Sequence, residues 1–267
     1  MRIQNKETIV HKLVYEVRYN YGYTYLDRCG RTINRIMRER PEWSPHIKEP
    51  NPQNAPLINT KSKSIFNFSA LKYDLSLEQQ AGIKEALTKK DITEFQEQAD
   101  YLSKVINDEL GLHEFTRIGF RIWYLIATES NLDSDRWVSN LGIIKIDDLI
   151  KDIFSGTVEN RNFTIVFKGE DRKFQISVNS VERKGIPSII DEDVLKVPAR
   201  QLPKNQQKHL IKQVKAKQTL SSNPSYAVMI DVDSYIENPE SIDAVDFINN
   251  SIKQIESNVP KIFNKKG

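Results

Sequence analysis

An acidic residue and a lysine two apart after an apolar strand, with a second acid upstream, can hold a divalent ion and polarise water for attack on a phosphodiester. The segment VNSVERK sets Glu182 and Lys184 at that spacing, and Asp171 lies eleven residues earlier. Asp171, Glu182 and Lys184 therefore outline a Mg²⁺-dependent nuclease core of the D…E-x-K kind. Two features count against it. Asp171 falls in the turn KGED between two strand-like runs, and polar Asn179 and Ser180 stand where such a core buries its strand. With 28% of the chain charged, a match of this size arises readily by chance.

Other chemistries have thinner support. His11, His46, His113 and His209 are scattered, and Cys29 is the single cysteine, so neither a zinc signature nor an internal disulfide exists. Asp231 and Asp233 are spaced to share Mg²⁺, yet the same spacing recurs at Asp133/Asp135 and Asp191/Asp193. A strand running out into solvent accounts for the pair as well. Neither a GxSxG elbow nor a glycine-rich phosphate loop is present. Cys29 follows Arg28 and precedes Arg31, where a thiol pKa could be lowered, although packing is the usual role of a helical cysteine. No metal and no cofactor is expected.

Basic surfaces remain. Arg28, Arg31, Arg35 and Arg38 recur at steps of three, four and three, one stripe of a helix, with Asp27 and Glu39 as their only acidic neighbours in sequence. The run Lys196 to Lys217 contains no acid, and Lys208, Lys212 and Lys215 share a helical face. Clustered cations of this kind suit phosphates or an acidic protein surface. The lysines also have a candidate internal partner in Asp231, Asp233, Glu237, Glu240, Asp243 and Asp246. A net charge of +3, from 39 basic and 36 acidic residues, excludes a strongly basic nucleic-acid binder and leaves local patches.

The elements that must carry these groups follow from periodicity. Tyr15, Val17, Tyr19, Tyr21, Tyr23 and Tyr25 alternate as a strand with one aromatic face, and Asp27 is placed to cap the arginine-bearing helix. Five prolines between 41 and 56 predict an extended connection. SIFNFSALKYDLSL alternates in two phases, as a bulged strand or two close strands. Phe95, Ala99, Leu102, Ile106 and Leu110 predict a helix over 91–110 that stops at Gly111. FTRIGFRIWYLIA reads as a central strand, and ESNLDSDRWVSN as a loop between halves. IDDLIKDIF suggests a short helix. Phe163, Ile165 and Phe167 answer Phe174, Ile176 and Val178 across a hairpin. SYAVMIDVDSYI is a strand, and Val245, Ile248, Ile252, Ile255 and Val259 mark a closing helix. The element order in the two halves rhymes. The expected class is α+β with two related subdomains, 1–130 and 131–267, each a mainly antiparallel sheet covered by a long helix.

The opening VYEVRYNYGY, the mid-chain FTRIGFRIWYLI and the late VMIDVDSY before a terminal helix resemble a sporadically distributed bacterial family of unknown function. Its members have about this length, an EV-x-RF-like first strand, an RIG-x-R-like central strand and an acidic strand before the last helix. This chain differs in Phe120 and Ile122 and in the lysine-rich stretch 196–217. The resemblance implies a place in mobile genetic islands and an association with defence against phage, and no activity.

No run of eighteen apolar residues and no apolar leader is present, so neither a membrane span nor export is expected, and the simplest compartment is the cytoplasm. These readings converge on a non-enzymatic binding or accessory protein that meets a partner protein or nucleic acid through its basic surfaces. The alternative is the Mg²⁺-dependent nuclease.

Overall fold

A computed structural model describes residues 1–20, 22–46, 53–79, 85–143, 161–183 and 225–264. Its strands are β1 (Arg2–Ile3), β2 (Lys6–Glu7), β3 (Ile9–Tyr19), β4 (Trp43–Pro45), β5 (Leu57–Asn59), β6 (Ile65–Phe68), β7 (Lys72–Glu78), β8 (Phe115–Thr128), β9 (Phe163–Lys168), β10 (Lys173–Arg183) and β11 (Ser225–Glu237). The helices are α1 (Gly22–Glu39), α2 (Lys89–Leu110), α3 (Asn131–Asn140) and α4 (Ala244–Phe263). Apart from the short β1–β2 pair, the strands form one sheet in the order β4-β5-β6-β7-β3-β8-β11-β10-β9. The α+β class and a large, mainly antiparallel sheet therefore stand. Strands from both sides of residue 130 share that sheet, in place of one sheet per half.

Two compact units divide the chain: Met1–Ile126 with Asn162–Asn179 and Met229–Gly267, and Ala127–Arg161 with Ser180–Val228. In the first unit, alternation assigns each strand an apolar and a polar side. Leu13, Tyr15, Val17 and Tyr19 of β3 are buried, as are Tyr73, Leu75 and Leu77 of β7 and Ile118, Phe120, Ile122 and Tyr124 of β8. The pairing keeps these rows on one face: Tyr15 stands opposite Leu75 and Phe120, and Val17 opposite Tyr73 and Ile118. Helices cover that face. Ser103 of α2 donates to the Tyr15 hydroxyl at 3.2 Å, and Phe95 meets Phe120 edge-on at 6.5 Å. From α4, Phe263 packs against Phe163.

Helix α2 forms as its pattern predicts. Phe95, Ala99, Leu102, Ile106 and Leu110 are all buried. Thr88 and Asp91 close a capping box at the start, and Gly111 at φ 61° ends the helix in the left-handed region. FTRIGFRIWYLIA is central, between β3 and β11, and the β9–β10 hairpin pairs Phe167 with Phe174, Ile165 with Ile176 and Phe163 with Val178. SIFNFSALKYDLSL resolves into two strands, β6 and β7.

Four expectations need correction. The tyrosine alternation does not continue as strand to Tyr25, because pairing with β8 ends at Tyr19 and helix begins at Gly22. Tyr25 is then buried from the helix, its hydroxyl donating to the Phe68 carbonyl at 3.0 Å. Asp27 accordingly lies inside α1 and caps nothing. ESNLDSDRWVSN is no loop: Ser130 accepts from the Asp133 amide as N-cap, and α3 buries Trp137 and Val138. In α4 the buried line runs through Ala244, Phe247, Ile248, Ser251, Ile255, Val259 and Phe263, so Val245 and Ile252 flank it. The short helix expected at IDDLIKDIF lies outside the described residues.

Candidate functional site

Helix α1 turns Tyr25, Thr32 and Ile36 into the core and leaves Tyr23, Leu26, Asp27, Gly30, Arg31, Asn34 and Arg38 outward. That spacing is the solvent stripe of an amphipathic helix. Its start is unusual: Tyr23 is 90% exposed and Leu26 58%.

The arginine stripe has two jobs. Arg31 Nε lies 2.9 Å from Glu109 Oε2, and Arg35 Nη1 lies 3.2 Å from Glu109 Oε1. Glu109 is buried near the end of α2, so both arginines clamp one carboxylate across the α1–α2 interface. Arg35 also reaches Glu39 at 2.9 Å and Asp108 at 3.6 Å. Hydrogen bonds to Glu39 and then Glu109 raise its guanidinium above the ordinary arginine value. Arg28 is held loosely, 3.5 Å from Asp27. The acidic neighbours of the stripe thus include Glu109 and Asp108, supplied by a distant helix, and not Asp27 and Glu39 alone. Arg31, 69% exposed despite its ion pair, and Arg38, with no ion pair among the described residues, complete the outward surface. The two arginines flank a shallow depression shared with Asn34 and Met37.

A second constellation lies on the polar side of the sheet. Arg117 spans from Glu16 Oε1 at 3.0 Å to Asp233 Oδ2 at 2.5 Å, passing over Gly119, and its guanidinium stacks on Tyr235. Arg121 makes a two-pronged pair with Asp231. Lys72 joins Glu16 and Asp74. Burial alone would raise the Glu16 carboxyl, but hydrogen bonds from Lys72 and Arg18 hold it below its ordinary range. For Asp233 burial prevails over Arg117, and the carboxyl is raised. Asp231 and Asp233 are therefore arginine partners within the sheet, not a strand end in solvent. With Lys173 bound to Glu237 at 2.6 Å, and Asp243 accepting from the Asp246 amide as N-cap of α4, four of the six acids expected to face the lysine segment already have other partners.

Of the remaining nuclease and lysine candidates, only Asp171 and Glu182 lie among the described residues. Asp171 is exposed in the β9–β10 turn, whereas Glu182 stands toward the far end of the extended β10. Strand rise of about 3.3 Å per residue puts the two well beyond any shared ion. Lys184, Lys208, Lys212 and Lys215 lie outside the described residues, among which no group of three His, Cys, Asp or Glu side chains could hold a metal. Burial pushes the Cys29 thiol up despite a hydrogen bond involving Tyr25, in keeping with a packing residue. Sequence reading missed Glu109, Arg117 and Arg121 as partners. The register that sets Arg117 and Arg121 of β8 against Asp233 and Asp231 of β11 is not visible in the sequence. Comparison with protein-family models, with curated proteins and with solved structures finds no match to this chain.

Proposed function

We propose that the protein is a non-enzymatic binding or accessory protein that docks an acidic partner protein on the outward face of α1. The observation that carries this reading is the exposure of Tyr23 and Leu26 on the helix that also presents Arg31 and Arg38. Tyrosine and arginine are enriched at the centres of protein interfaces, where a ring supplies buried area and a guanidinium selects carboxylates. Arg35 and Glu109 fix the helix beneath, so the surface is rigid before it meets its partner. A place in a mobile-island or defence system, implied by the family resemblance, is consistent with an accessory role. The nuclease reading draws no support from the positions of Asp171 and Glu182.

The test is affinity capture from host extract with wild-type protein and with Tyr23→Ala/Leu26→Ala/Arg38→Ala, together with salt-dependent binding to DNA and RNA. A stoichiometric protein partner retained by the first and lost by the second, at unchanged melting temperature, is the expected result. Salt-sensitive nucleic-acid binding that depends on the same residues would replace the protein partner by a phosphate backbone. Failure of both would overturn the assignment of α1.

A further inference from the structure

The two ends of the sheet are finished differently. At one end β4 is three residues long and includes Pro45, two of the usual devices that stop a strand edge from pairing. At the other end β9 is a regular six-residue strand, FTIVFK, without proline or bulge and with one charge, Lys168, at its last position. Among the described residues its only strand partner is β10, and β9 closes their strand order. Val166 is 55% exposed and Phe167 41%.

The main chain of β9 shows which groups point away from β10. Gly169 donates to the Arg172 carbonyl at 2.8 Å, and hydrogen-bonded pairs alternate from there along the hairpin. Phe167, Ile165 and Phe163 therefore turn their N–H and C=O groups toward β10, while Thr164, Val166 and Lys168 turn theirs outward. The side chains add a symmetry. Phe163-Thr164-Ile165-Val166-Phe167 has nearly the same shape in either direction: aromatic, β-branched, Ile, β-branched, aromatic. Thr and Val are close in shape. A strand of this kind is its own antiparallel partner.

We infer that β9 is a homodimer interface, in which two copies pair antiparallel about a two-fold axis through Ile165. In that register Thr164 and Val166 of one copy exchange main-chain hydrogen bonds with Val166 and Thr164 of the other. Phe163 stands across from Phe167, so the apolar row continues from one sheet into the next. No like charges face each other, since Lys168 lies beyond the paired segment. The assembly closes at two copies because the pairing uses the β9 edge of each, and β4 offers no equivalent. This interface is independent of the α1 surface.

Light scattering on the eluting full chain, across a concentration series, is expected to give a dimer that dissociates on dilution. Val166→Lys, at an exposed position that leaves the core untouched, should weaken association about tenfold or more, with an unchanged circular dichroism spectrum. In a Cys29→Ser background, Ile165→Cys should cross-link to its copy on oxidation, because this non-hydrogen-bonded pair brings the two Cβ atoms to about 4.5 Å. Val166→Cys, which faces Thr164, should not. A wild-type monomer at all concentrations would overturn the interface. So would a dimer indifferent to Val166→Lys, open-ended assembly, or cross-linking at 166 in place of 165.

Discussion

Glu109 shows how much one side chain can decide. It accepts a hydrogen bond from Arg35 and ion-pairs with Arg31 while nearly buried, so its removal leaves both arginines of α1 without their common partner. Because the arginines themselves reach solvent, the loss is smaller than for a fully buried pair. Glu109→Ala is expected to cost about 1–2 kcal/mol in urea unfolding, and Glu109→Gln less. Glu16 offers a pH test. Its folded-state pKa is depressed, so its stabilisation is complete above the unfolded value near 4.3 and is lost as pH falls through the folded one. Glu16→Gln should therefore cost about 1–2 kcal/mol at pH 7, and the difference from wild type should shrink as the pH drops below about 4. Neither partner set was legible in the sequence. Arg35 and Glu109 are 74 positions apart, and Arg117 and Asp233 are 116 apart, separations at which spacing carries no information about contact.

At the scale of elements, legibility depended on whether local pattern and tertiary context agreed. In α2 they agreed throughout: a 4-3-4-4 apolar line, a box at Thr88 and Asp91, and a left-handed stop at Gly111. Thr88→Ala and Gly111→Ala should each cost about 1 kcal/mol, readable as a shift in the midpoint of urea unfolding at constant slope. In the tyrosine run they diverged. A two-residue period passes unbroken through Tyr19 and on to Tyr25, but β8 has no residue left to pair beyond Phe115, and the chain turns into helix. The period persists because Tyr25 is buried from the helix and Tyr23 is not buried at all. In α3 the Ser130 cap was present in the sequence, and polar composition masked it.

The whole molecule turns on a sheet assembled from both ends of the chain. β8 lies between β3, contributed early, and β11, contributed late, and α4 covers the same apolar face as α2. Strands from both halves join into one layer. A fragment of residues 1–130 would present β8 with an unpaired edge and lack α4. It should show no cooperative thermal transition by circular dichroism alone, and should regain one when co-expressed with 131–267.

The same strand order sets a timetable for synthesis. The neighbour that β8 requires, β11, leaves the ribosome roughly a hundred residues later. At about 5–20 residues per second, β8 waits on the order of 5 to 20 s with one edge open, longer than most small domains need to fold. Closing that seam joins residues far apart in sequence, which slows folding further.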